Sequence, residues 1–427
     1  MNEEFIYFLW KFRLISSDLV TGSGESLIIL HPGERNTNSG PDFVNARLRI
    51  GGTLWAGNVE IHVRASDWFK HRHQDDPAFN NVILHVVYEN DARPILINRF
   101  PIPVLELKNQ FPSYIHANYR VLMKNQGWIP CNHQIASMAD PGFNLWSASL
   151  SVDRLLTKGE VIGRILKNCN DDWEEAFYQY LAINLGFKVN AVPFEMLARS
   201  LPLKIVRKHV HNFFQLEALL FGQAGMLGKQ FSGEYPVKLT LEYDFLRGKY
   251  GLAPIDVSAW KFLRLRPSNF PTIRISQWAV VLHRSRGEMF GMLGVPSLQQ
   301  MRTQWNVCSS PYWDDHYRFG KTSANHPKAM GEESINLLII NGIIPFLFFY
   351  GNQKEQRILK ERALHFLEQL PPENNHILRG WEAVGITAKD ALQTQALMEL
   401  KRSYCDRKQC LQCRIGRKLL INDNHEK

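Results

Sequence analysis

The chain has few cysteines, no charged leader ahead of an apolar stretch, and no run of about eighteen apolar residues. Its most apolar segment, 335–350, is interrupted by Asn341 and Pro345. A membrane span is therefore not expected, and a cytoplasmic setting is the default reading. Internal repeats and low-complexity tracts are missing too, so a solenoid or a disordered tail is not expected. Two segments are short of acid: 261–286 holds six Lys or Arg and no Asp or Glu, and 401–418 holds seven bases against Asp406 alone.

What remains is an ordinary globular composition, 45% apolar and 21% charged, over 427 residues, enough for two or three domains with their own cores. The net charge of +9 permits a polyanionic partner without demanding one.

Up to about residue 135 the pattern is strand-rich. Residues 3–15 read as a buried helix with Glu3 and Glu4 in its first turn, and 27–30 as a short strand. Apolar runs at 44–50 and 54–63 flank Gly51-Gly52, a strong hairpin signal, and a third run covers 82–88. Residues 94–107 read as a further extended pair bent at Pro101 and Pro103. Beyond about residue 140 apolar residues recur at helical spacing, over 145–169, 173–185, 194–198 and 205–227, with further helices near 275, 297, 334, 353 and 389. The expected organisation is a mixed α/β (α+β) domain over 1–135 and a mainly helical domain over 136–427.

Polar groups that carry chemistry gather in the strand-rich part. Glu60 and His62 share one face of a strand, because strand side chains alternate. Pairing about Gly51-Gly52 puts Asp42 at the height of Glu60, so Asp42, Glu60 and His62 converge. Carboxylate plus imidazole on adjacent strands suits a divalent cation, Mg²⁺ or Mn²⁺, of the kind that activates water for phosphodiester cleavage. His85, in the run VILHVVYE, is either a buried hydrogen-bonded imidazole or a further metal ligand facing Glu60 and His62. His71 and His73 are candidates for phosphate contact or a second metal, or a structural pair near Trp68. Arg264, Arg266 and Arg274, interleaved with aromatics and prolines, suit nucleic-acid contact or interior packing.

Cys405, Cys410 and Cys413 form C-x4-C-x2-C, a spacing for a zinc ion or an iron–sulfur cluster. A fourth ligand has to come from Cys131, Cys169, Cys308, His316 or His425.

Pro41-Asp42, the glycine turn and Glu60-Ile61-His62 resemble the motif of the PD-(D/E)XK nuclease superfamily, with His62 where that superfamily places lysine. The resemblance implies a restriction-endonuclease-like core, with Glu3, Glu4 or Glu34 as a further acid. Taken whole, the chain resembles the bacterial domain-of-unknown-function 2851 family. The carrying segments are Asn38 to Phe43, Gly57 to His62, Asp67-Trp68 with His71 and His73, Leu84 to Val87, Glu217 to Gly222, Arg266 to Pro271, and Tyr404 to Gly416. That resemblance implies no particular activity. The function expected from the residues is a metal-dependent nuclease-like phosphodiesterase acting on DNA or RNA. A non-catalytic nucleic-acid-binding scaffold on the same fold and a metal hydrolase of a small substrate are the alternatives.

Overall fold

A computed structural model describes residues 1–422 except 98, 136–140, 229–230 and 232, with backbone alone for 141–145. The chain divides into two compact units, one built from 1–143 with 401–427 and the other from 144–400.

The first unit opens with helix α1 (Glu3–Lys11), capped by Asn2, whose side-chain oxygen accepts from Phe5 N at 3.1 Å. α1 buries Ile6 and Trp10 against one face of a sheet made of β1 (Leu19–Val20), β2 (Ser26–His31), β3 (Glu34–Arg35), β4 (Phe43–Ile50), β5 (Thr53–Arg64), β6 (Val82–Glu89) and β9 (Val104–Glu106). The path runs β1-β2-β4-β5-β6-β9, and β3 pairs with the start of β4. Gly51 and Gly52, at φ +53° and +90°, make the two-residue turn that the glycine pair predicts. β4 and β5 are antiparallel from Ile50↔Thr53, and a bulge at Asn45 (φ +59°) shifts the register so that Phe43 lies opposite Val59. Asp42 and Glu60 therefore meet, as the hairpin symmetry predicts: Asp42 N donates to Glu60 Oε2 at 3.0 Å.

β6 runs parallel to β5, which places His85 beside Glu60. Between them the chain crosses over through α2 (Asp67–Lys70) and two short 3-10 turns. Strand alternation then sorts the two faces. Val59, Ile61, Leu84 and Val86 join Ile6 and Trp10 in the main core of the unit; a fully buried Val or Ile contributes about 1.5–3 kcal/mol. Glu60, His62 and His85 project to the other face, where Trp68, Phe79 and Val82 form a smaller apolar cluster.

The segment 94–107 does not form one extended pair. β7 (Leu96–Ile97) and β8 (Phe100–Pro101) make a separate antiparallel ladder, while β9 joins the main sheet parallel to β6. Helix α3 (Ser113–Lys124) follows.

The second unit is helical: α4 (Pro141–Asn168, shared with the end of the first unit), α5 (Trp173–Leu185), α6 (Ala191–Ser200), α7 (Leu203–His209), α8 (Phe213–Gln223), α9 (Glu234–Tyr250), α10 (Pro271–Arg284), α11 (Leu298–Trp305), α12 (Glu332–Leu338), α13 (Ile344–Gln353), α14 (Arg357–Gln369), α15 (His376–Ala383) and α16 (Ala391–Glu399). The periodic stretch 205–227 is two helices rather than one. The turn before Asn212 stops α7, and Asn212 then caps α8 by accepting from Gln215 N at 3.2 Å. Helix also continues through 335–350, despite Asn341 and Pro345. A π turn at Ile339–Ile343 joins α12 to α13, and the Asn341 carbonyl that Pro345 has no N–H to serve accepts from Tyr180 OH at 2.9 Å. The joined run Glu332–Gln353 is the one candidate among the described residues long and apolar enough to cross a membrane; 72% of its apolar window is buried inside the protein.

After α16 the chain returns to the first unit and ends its described part with α17 (Arg414–Ile421), which packs on α3, where Asn118 Nδ2 donates to the Leu420 carbonyl at 3.3 Å. A sequence boundary at 135/136 thus places the cysteine-bearing tail with the helices, whereas its contacts place it with the sheet. Periodicity cannot detect that return.

Candidate metal centre

Glu60 and His62 share a face of β5 by strand alternation, and the crossover brings two more imidazoles to them. His71 closes α2, and His73 begins the next turn. Two residues apart on a helix they would point about 200° from each other, but Arg72 between them sits in the left-handed region at φ +60°. That kink turns both rings inward. One ligand nitrogen from each of His62, His71 and His73 lies within 4.8 Å of the others, the one such group among the described residues. His62 Nε2 stands 3.2 Å from His71 Nδ1. Glu60 Oε1 completes the set, 3.5 Å from His62 Nε2 and 3.3 Å from His73 Nε2.

Packing holds these rings in place. His73 stacks on Phe79 with centroids 3.9 Å apart, and Trp68 lies 5.3 Å from both His73 and His85. Behind the triad, His62 Nδ1 contacts His85 Nε2 at 2.8 Å. His85 is wholly buried, and its Nδ1 has no partner among the described residues. His85 thus lies one layer behind His62 rather than at the point where the other nitrogens meet.

Asp42 is likewise set back. Its Oδ1 accepts from Arg35 Nη1 at 2.9 Å and its Oδ2 from Ile61 N at 3.0 Å. Arg35 is itself fixed over the Tyr7 ring, 3.8 Å from the centroid. Asp42 positions Glu60 through its own N–H; it does not share the meeting point of the imidazoles. Glu3, on α1, lies near enough to Asp42 and His71 to feel their charge, its carboxyl raised first by burial and then by Asp42.

Burial dominates the electrostatics of the site. Burial, and after it the charge of Asp42, pushes the Glu60 carboxyl up to about 9. Burial, and then His73 and His71, pushes His62 down to about 3. His73 is lowered by burial and then by His71, and His85 is lowered far by burial. Three imidazole nitrogens and one buried carboxyl oxygen are a donor set for a transition metal; they suit Zn²⁺ or its neighbours better than the oxygen-rich shell that Mg²⁺ prefers.

The arginines singled out in the sequence divide. Arg264 and Arg266 are exposed in the helical unit. Arg274 is 2% exposed and donates to Asn269, Gln277 and Ser334, so its guanidinium serves the interior. Two other arginines carry no sequence motif. Arg47 and Arg49 occupy the exposed positions of β4, opposite Ala56 and Leu54, on the face that also carries Glu60 and His62. An open cleft there is lined by His31, Asn45, Arg47, Ala56 and Asn81. Alternation of buried and charged residues along 43–50 is the signal that marks them. Of the candidates for the fourth sulfur-site ligand, Cys131 belongs to the first unit and Cys169, Cys308 and His316 to the second, while His425 lies outside the described residues.

Residues 3–376 match the family described as Protein of unknown function (DUF2851), and the chain belongs to that family. No curated protein and no solved structure matches it.

Proposed function

We propose that this member of the DUF2851 family is a metal-dependent hydrolase of phosphodiesters, acting on nucleic acid. The observation that carries the reading is the convergence of His62, His71 and His73 with Glu60 Oε1, from the buried His62 to the exposed His71. A divalent metal bound there would supply a water acidic enough to act as nucleophile near neutral pH and a positive charge to offset the charge developing on phosphate. The chain's own residues do the rest. His62 and His73 hold their rings against Trp68, Phe79 and His85; Glu60 is kept in place by the Asp42 N–H; His71, at the exposed edge, marks the side from which substrate enters. Arg47 and Arg49 extend the same face with fixed positive charge, which favours a polyanionic substrate over a neutral one. A restriction-endonuclease-like ancestry of the β4–β5 hairpin fits the Asp42–Glu60 pairing, with imidazoles in place of the usual lysine.

The test is cleavage of single- and double-stranded DNA and RNA, and of a small chromogenic phosphodiester, with Zn²⁺, Mn²⁺ or Mg²⁺, by the parent and by Glu60→Gln and His73→Ala variants. Metal-dependent cleavage lost in both variants is the expected result. Salt-dependent binding without cleavage of any substrate would leave a binding scaffold. Cleavage of the small ester alone would make it a small-substrate hydrolase.

A further inference from the structure

We propose that Cys131, Cys405, Cys410 and Cys413 are the four ligands of one structural metal centre, a zinc ion or an iron–sulfur cluster, which fastens the returning C-terminal segment into the first unit. The proposal is independent of the histidine site.

The chain brings the two cysteine-bearing segments together from far apart in sequence. Asn125 shapes the first, donating to the Pro130 carbonyl at 2.9 Å and to Asn132 Oδ1 at 2.8 Å, while Gly127 N donates back to Asn125 Oδ1 at 2.7 Å. This turn presents Cys131. The second segment straps against it: Lys408 Nζ donates to the carbonyls of Met123 at 2.6 Å and Asn125 at 3.3 Å, and Lys401 Nζ sits 5.0 Å from the Trp128 ring centroid. Cys131, Cys410 and Cys413 are at most 8% exposed, and none of the six cysteines is in a disulfide.

Among the described residues no three cysteine sulfurs stand within 4.8 Å of one another, so a zinc ion, which holds each sulfur at about 2.3 Å, would have to draw them in; the thiols are near enough for the charge of one to act on the next. Burial raises each of them first; Cys413 and Cys410 then raise Cys131, and Cys413, Cys131 and Cys410 raise Cys405. Cys413 is the N-cap residue of α17 and is buried with Cys410 beneath the start of that helix. Gly416 lets that helix start close in over the knuckle: a Cβ there would stand 2.0 Å from the Cys410 carbonyl oxygen. Lys401, Arg402, Arg407, Lys408, Arg414, Arg417 and Lys418 flank Cys405, Cys410 and Cys413 in sequence with a single acid, Asp406, among them, a charge balance that suits a negatively charged tetrathiolate centre. Buried cysteines acting only as small apolar residues need no such excess of base beside them. On binding, the four thiols release their protons to solvent as four metal–sulfur bonds form.

The experiment uses the full chain, purified without oxygen, and measures zinc, iron and acid-labile sulfide together with the visible spectrum. Cys131→Ser and Cys413→Ser are compared with Cys308→Ser. Expected is one centre per chain in the parent and in Cys308→Ser, either colourless with zinc or coloured with iron and sulfide, and at least a tenfold loss in the other two. A parent that stays empty when supplied with Zn²⁺, or with iron and sulfide, overturns the proposal; so does a Cys131→Ser variant that keeps its full complement. Should those variants not fold, thiol reactivity of the native parent decides. Four further thiols reacting after the metal is stripped is the expected outcome, and an unchanged number overturns it.

Discussion

His62 Nδ1 and His85 Nε2 face each other at 2.8 Å inside the first unit, so a single proton lies between two neutral rings. For His62 Nε2 to keep a lone pair for metal, His62 Nδ1 must carry that proton and His85 Nε2 must accept it. The cost is a buried, unpartnered His85 Nδ1–H. His85→Phe is therefore expected to weaken metal binding by about 10–100-fold without abolishing it, the usual effect of removing an outer-layer partner. Calorimetric titration would measure this. A loss as complete as that of His62→Ala would instead make His85 a direct ligand.

Stability of the metal-free protein should depend on pH from both sides. The folded value of Glu60, about 9, lies above the ordinary 4.5, so its contribution is full below about 4.5 and is lost as pH rises toward 9. The folded value of His62, about 3, lies below the ordinary 6.5, so its contribution is present above 6.5 and is lost as pH falls toward 3. Melting curves in chelator should decline above neutral pH, and Glu60→Gln should flatten that decline. Because metal competes with the proton on Glu60, stabilisation by added Zn²⁺ should grow between pH 6 and 8.

Arg47→Ala and Arg49→Ala should each lower the slope of log affinity against log salt by about one for nucleic acid, with little change in stability. Fluorescence anisotropy over a salt series reads the slope. An unchanged slope in both would remove this face from the substrate path.

Arg274→Ala should behave oppositely. It strips three donated hydrogen bonds from the interior of the helical unit and is expected to cost about 2 kcal/mol or more. Denaturant unfolding would show the loss, while the salt slope of binding stays as in the parent.

Gly222→Ala tests how closely α8 meets α9. A Cβ at 222 would stand 2.0 Å from the Tyr243 ring, so the two helices must part or the ring must move, at about 1–3 kcal/mol. Metal content at the histidine site should not change.

Local rules made the hairpin legible. Gly51-Gly52 set the turn, alternation set the faces, and counting from the turn brought Asp42 to Glu60. Those rules stop at contacts made by irregular backbone. That His71 and His73 would join His62 depends on one left-handed residue, Arg72, and arginine carries no preference for that conformation. The spacing His62, His71, His73 was visible, but not the direction of the rings. Asp42 looked like a ligand from its motif; what occupies it is Arg35 from the two-residue strand β3, too short for any periodic signal. The start of α5 after Asp172 was legible from its periodicity, whereas the break that Asn212 caps inside 205–227, and α3, which lacks a side-chain cap, passed unread.

The return of residues 401–427 to the first unit has a consequence for the order of synthesis. A ribosome completes the sheet and the histidine site early, then emits the whole helical unit before the strand-rich unit receives its last piece. Until then α3 presents an open flank. The helical unit is in effect an insertion within the first, and trimming the chain from its C-terminal end should injure the part made first and spare the part made last.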